Sequence, residues 1–110
     1  MEIDSTKQDK ANVLRVKGRM DAVSAPSFEE RITQMIQEGG QNFIVDFSEL
    51  EYISSAGLRS ILASAKKIKA KQGAFFLADL RDTVKEVFEI SGFQAIIPMY
   101  ESVDAALQEV

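Results

Sequence analysis

The sequence predicts an α/β domain: a mixed, mainly parallel sheet of four to five strands with about four helices. Three observations lead there. Short apolar runs alternate with stretches of helical period, as they do in βαβ units. Two strand-like segments at the N-terminus flank Asp9-Lys10 and so form a hairpin, adding one antiparallel element. No repeat, low-complexity tract or linker divides the 110 residues, a length that suits one hydrophobic core, so residues 1–110 read as one domain.

Taken in order, Asn12–Gly18 alternates apolar and polar residues as a half-buried strand does, and a shorter strand precedes it. Phe28, Ile32, Met35 and Ile36 then recur at helical spacing, with Ser24 as the expected N-cap and Gly39-Gly40 as the stop. Asn42–Phe47 is an apolar run bounded by turn formers, the mark of a strand covered on its faces. In the next helix Leu58, Ile61, Leu62, Ala65 and Ile68 make the core stripe, while Arg59, Ser60, Lys66, Lys67 and Lys69 fall off it. Ala74–Ala78 is the following strand, and Val84, Val87 and Phe88 mark a helix that ends near Ser91-Gly92. Ile96–Met99 reads as a weak last strand at a sheet edge, because Pro98 has no N–H to donate. Val103, Ala106, Leu107 and Val110 close the chain as a short helix.

Composition narrows the chemistry. Cysteine and histidine are both absent. That removes disulfides, thiolate metal sites, the usual neutral-pH base and any Ser-His or Cys-His nucleophilic pair. The expectation is a protein-binding module, not an enzyme, with no metal and no cofactor. A net charge of −4 repels phosphate backbones and anionic lipid heads, so neither nucleic acid nor a membrane surface is an expected partner. No apolar run reaches the roughly 18 residues of a membrane span, and the opening Met-Glu-Ile-Asp has no secretory character, which points to the cytoplasm.

In an open sheet of this kind, functional groups gather where strand ends lead into helix N-termini. Three such places stand out: Gly18-Arg19-Met20-Asp21, Ser54-Ser55-Ala56-Gly57 and Asp79-Leu80-Arg81-Asp82. At the second, small residues leave the first-turn N–H groups accessible, and a phosphate on a serine there would meet those donors and the positive end of the helix dipole. Serine is also a preferred N-cap, so on this motif alone the plainer reading of Ser54 and Ser55 is as caps. Neither phosphate-loop spacing occurs, which leaves nucleotide binding unsupported. Asp21 and Asp46 are read as turn-capping aspartates rather than an acid-base pair. Lys66, Lys67, Lys69 and Lys71 sit toward a helix C-terminus and read as a solvated face. Arg59, one turn into the helix, is a candidate contact for an acidic group or a phosphate.

Three segments taken together resemble the STAS-domain family, specifically bacterial anti-sigma factor antagonists: Gly18–Asp21, Asp46–Arg59, and Phe88-x-x-Ser91-Gly92-Phe93. The resemblance spans nearly the whole chain. It implies that the unphosphorylated protein binds an anti-sigma factor that is also an ATP-dependent serine kinase, and so frees a sigma factor. Phosphorylation by that kinase would break the complex and a PP2C-type phosphatase would restore it. Aligning Gly57-Leu58 with the family motif places Ser55 on the acceptor serine. Ser54 then stands where an aspartate is common, as fallback acceptor or as the turn and cap former, and Ala56 stands where some relatives carry a second hydroxyl. Asp21 matches the family's acidic residue near the acceptor. The docking surface implied is Asp21, Ser54, Ser55, Ala56, Gly57, Leu58 and Arg59. A second reading of the same resemblance is an unswitched structural STAS subunit of a transporter or another assembly.

Overall fold

A computed structural model describes residues 1–110. The elements are β1 (Glu2–Gln8), β2 (Ala11–Met20), α1 (Ala25–Gln37), β3 (Phe43–Ile53), α2 (Ser55–Ala70), β4 (Phe75–Ala78), α3 (Asp82–Ile90), β5 (Met99–Tyr100) and α4 (Val103–Leu107), with a 3₁₀ turn at Phe93–Ala95. Each strand pairs with the next in sequence to give one five-stranded sheet. β1 and β2 form the antiparallel hairpin, and the other three pairings are parallel. The mixed, mainly parallel α/β sheet with four helices is as expected.

Alternation along the strands sends side chains to two unequal cores. Leu14, Val16, Phe43, Val45, Phe47, Phe75 and Leu77 face one side, where they pack against Phe28 and Ile32 of α1, Ile61, Ala65 and Ile68 of α2, and Val84 and Phe88 of α3. Phe47 and Phe88 stack there with ring centroids 6.1 Å apart. Ala11, Val13, Ile44, Phe76 and Ala78 face the other side, covered by Ala106 and its neighbours on α4. α1 stops as expected: Gly39 at φ +99 lets Gly40 N–H reach back to Met35 O at 2.8 Å.

Four details differ from expectation. β3 runs six residues past Phe47, where the apolar run ends. Two register shifts against β2 space its buried residues Phe47, Leu50 and Ile53 three apart, so the alternation of a regular strand is lost. The last strand is Met99–Tyr100 rather than Ile96–Met99, because Phe93–Ala95 coils into a 3₁₀ turn and pairing starts only after Pro98. β5 is nonetheless the edge strand, and Pro98 contributes its carbonyl, accepting Leu77 N–H at 3.0 Å. On α2 the buried face is rotated: Ser60 and Ser64 lie inside it and Leu62 at its margin. Ser60 lines a groove with Pro26, Glu29 and Thr33 of α1. Finally, Ser24 precedes α1 but its hydroxyl does not cap the helix.

Candidate functional site

β2 and β3 end together, and their last hydrogen bond builds the site. Ser54 N–H donates to Met20 O at 2.9 Å, which fixes the start of α2 against the end of β2. Ser54 itself is extended, with φ −92 and ψ 175, and its Oγ accepts Gly57 N–H at 3.2 Å. It is therefore the N-cap, and its hydroxyl is committed. Leu58 N–H closes the turn on Ser54 O at 2.9 Å. The N–H groups of Ser55 and Ala56 are left without a partner in the chain, as the first turn of a helix requires.

Ser55 is the first residue of this 16-residue helix, exposed, and its hydroxyl makes no hydrogen bond within the chain. The two serines thus divide the work: one oxygen holds the helix, the other faces solvent beside bare donors. Ser60, the next hydroxyl along, is buried. Gly57 is buried as well. A Cβ there would come within 2.7 Å of Ile53 Cγ1 and 2.8 Å of Met20 O, so this glycine is what allows α2 to start directly over the strand ends.

Asp21 follows β2 on the same edge. Its Oδ1 accepts Val23 N–H and Ser24 N–H, each at 3.1 Å, and lies 3.1 Å from Ser24 Oγ. Ser24 Oγ in turn accepts Asp21 N–H at 2.9 Å and donates to Arg19 O at 2.9 Å. The carboxylate, not the serine expected as a cap, organises the entry to α1. Backbone and side-chain hydrogen bonds from Ser24 hold the Asp21 carboxyl below the ordinary aspartate range, aided by Val23 N–H and the Arg19 charge and opposed by burial.

A STAS domain model matches residues 2–106, nearly the whole chain and all of this site. The chain belongs to the STAS-domain family. It is 36% identical over 106 residues to a protein of Bordetella bronchiseptica named as an anti-sigma factor antagonist, BtrV, an alignment covering 96% of this chain and 91% of that one. The fold is that of an anti-sigma factor antagonist of Thermotoga maritima, at a TM-score of 0.93 and 21% identity over 98% of this chain and 93% of the other. It is shared with the Bacillus cell fate determinant SpoIIAA solved in a phosphorylated form, at a TM-score of 0.76 and 21% identity over 98% of each chain.

Within this STAS domain the remaining candidates fall around Ser55 in different ways. Arg59 is exposed one turn along α2, Ala56 is half-buried, and Leu58 is half-buried against the main core. Asp46 lies apart: it is buried, its Oδ1 accepts Ser48 N–H at 2.9 Å and its Oδ2 stands 3.5 Å from Arg15 Nε, so it braces the irregular part of β3. Asp79–Asp82 ends β4 and reaches the same region, Arg81 Nε donating to Ser48 O at 2.8 Å. The basic run on α2 is exposed, with Lys67 bound to Glu29 and Thr33 of α1. No helix is long and apolar enough to cross a membrane.

Sequence reasoning named Arg19 and Tyr52 only as members of their segments, with no role of their own, and passed over Val23. The Arg19 guanidinium stands 4.2 Å above the Tyr52 ring, on neighbouring strands whose partnership follows only from the register shifts. Val23, in the turn between β2 and α1, is 88% exposed. An aliphatic residue between Ala22 and Ser24, at a predicted strand-to-helix turn, was the available signal.

Proposed function

We propose that this chain is an anti-sigma factor antagonist, a regulatory ligand and kinase substrate rather than an enzyme, working in the cytoplasm with its sigma factor. In the unphosphorylated form it docks an anti-sigma factor that is also an ATP-dependent serine kinase, which frees the sigma factor. The kinase then moves the γ-phosphoryl group of ATP onto Ser55 Oγ, releasing ADP and the hydroxyl proton. Added charge at the centre of the interface ends the complex by repulsion and desolvation cost. A PP2C-type phosphatase hydrolyses the ester, returning the hydroxyl and inorganic phosphate.

The observation that carries this reading is the uncommitted, exposed hydroxyl of Ser55 beside two unpartnered backbone N–H groups. A phosphate there meets donors and the positive helix end, so modification changes the surface without cost to the fold. The 36% identity to a protein named as an anti-sigma factor antagonist supports the partner class, and a phosphorylated SpoIIAA of the same fold supports a phosphate cycle. Absence of cysteine and histidine is in keeping with a substrate role. Incubation with the purified kinase of the same host and ATP should add one phosphate, located at Ser55 by fragmentation mass spectrometry. Ser55→Ala should take none, and full labelling of that variant would sink the assignment. Ser55→Asp should dock more weakly than the unmodified protein.

A further inference from the structure

The site holds more than a switch. Val23 projects from the turn between β2 and α1 at 88% exposure, and its own N–H is pinned by Asp21 Oδ1 at 3.1 Å. Asp21 and Ser24 lock the rest of that turn through their mutual hydrogen bonds and the bond to Arg19 O. A fully exposed aliphatic side chain is thus held on a rigid platform, where a mobile polar loop would have been cheaper in entropy. On the end of β3, which pairs with the end of β2 that leads to Val23, Tyr52 is 41% exposed with the Arg19 guanidinium stacked on its face at 4.2 Å. Aromatic and arginine side chains fixed in advance lose little freedom on binding, and such residues dominate protein interfaces. Both features adjoin the acceptor: Val23 lies three residues past Met20, whose carbonyl holds Ser54 N–H at 2.9 Å, and Tyr52 lies three residues before Ser55.

We propose that Val23 and the Arg19–Tyr52 stack form the anchor by which the serine-kinase anti-sigma factor grips this chain, entering an apolar recess of that partner, while Ser55 supplies the switch. This rests on the proposed function and adds the residues that carry its affinity. The partner is argued from continuity: whatever brings an ATP γ-phosphate to Ser55 Oγ must cover the strand ends on which the anchor stands. Ile90, 79% exposed as the last residue of α3, provides the internal comparison, since it is apolar and exposed but belongs to an element outside the β2 and β3 ends that carry the acceptor.

The test measures binding of the purified kinase of the same host, and its kinetics of Ser55 phosphorylation, for wild type, Val23→Asp, Val23→Leu, Tyr52→Ala and Ile90→Asp. Burying a valine-sized side chain corresponds to about ten- to a hundredfold in affinity. Val23→Asp should weaken docking by that factor and raise KM with little change in kcat, while its thermal midpoint stays that of the wild type. Tyr52→Ala should weaken docking, and Val23→Leu should retain it. Ile90→Asp should bind as wild type. Equal binding by Val23→Asp and wild type, or equal losses in Val23→Asp and Ile90→Asp, overturns the anchor while leaving the proposed function standing. A wild type that neither binds nor accepts phosphate overturns both.

Discussion

Two adjacent serines differ in where their oxygens point, and under the proposed function that difference separates stability from signalling. Ser54 Oγ satisfies a first-turn donor, Gly57 N–H, so Ser54→Ala should cost about 1 kcal/mol of stability. Ser55 Oγ bonds nothing in the chain, and Ser55→Ala should stay within about 0.5 kcal/mol of wild type. Urea unfolding of both variants, run beside phosphate incorporation, should show the pattern crossed: Ser54→Ala weakened but labelled, Ser55→Ala stable but unlabelled. Asp21 works on the same scale through pH. Its folded carboxyl ionises below the ordinary aspartate value of 3.8, so the ionised form binds its turn partners better than the protonated one does. The stability it contributes is therefore present above that value and disappears as pH falls through the lower folded value. Asp21→Asn should be less stable than wild type at pH 6, with the gap closing below about pH 3.8 in urea midpoints taken down the acid range.

At the scale of the element, the regular pieces were legible because their apolar residues keep a period. α1, the first half of β3, β4 and α3 all stand where Phe28/Ile32, Phe43–Phe47, Phe75–Leu77 and Val84/Phe88 put them. The second half of β3 was not, since its irregularities against β2 space the buried Phe47, Leu50 and Ile53 three apart, a spacing that belongs to no flat strand. The face of α2 was misread for a different reason: its buried side takes small residues as well as apolar ones, Ser60 beside α1 and Ser64 among them. Ser64 Oγ is fully buried with no hydrogen-bond partner. Ser64→Ala should stabilise the protein by about 0.5–1 kcal/mol, combining better helix propensity with loss of an unsatisfied hydroxyl. Gly57→Ala should do the reverse. Alanine is worth up to about 1 kcal/mol over glycine in a helix, yet its Cβ would press on Met20 O at 2.8 Å, a backbone atom already holding Ser54. Overpacking of about 1–3 kcal/mol against a backbone atom exceeds the propensity gain, so a net loss of up to about 2 kcal/mol is expected from chemical denaturation.

Over the whole molecule, the site was legible as a position rather than as a surface. Helix starts and serines can be read along the chain, whereas Arg19 over Tyr52 and the outward Val23 depend on how the two strand ends meet in space. What the fold does for the proposed switch is to choose the end of a helix on which charge is placed. Phosphate adds about 1.5–2 negative charges to a chain already at −4, and self-repulsion alone would make that destabilising. The local field acts in the opposite sense at α2, because a helix N-terminus favours an anion by about 0.3–1 kcal/mol. Comparing Ser55→Asp with Ser91→Asp reads this local field. Both sites are exposed and both changes add one negative charge, but Ser91 is the C-cap of α3, where the dipole has the other sign. The general repulsion is common to the two, so the difference between them is local: the dipole, together with Arg59 one turn along α2 from Ser55. Ser55→Asp should be as stable as wild type or more so, and Ser91→Asp less stable, with a spread of about 0.6–2 kcal/mol in urea at low ionic strength. Raising salt to 1 M shortens the screening length to about 3 Å and should draw the two together. A Ser55→Asp protein that unfolds as readily as Ser91→Asp would mean that the start of α2 does not welcome charge, and that phosphate there acts by loosening the fold rather than by changing its surface.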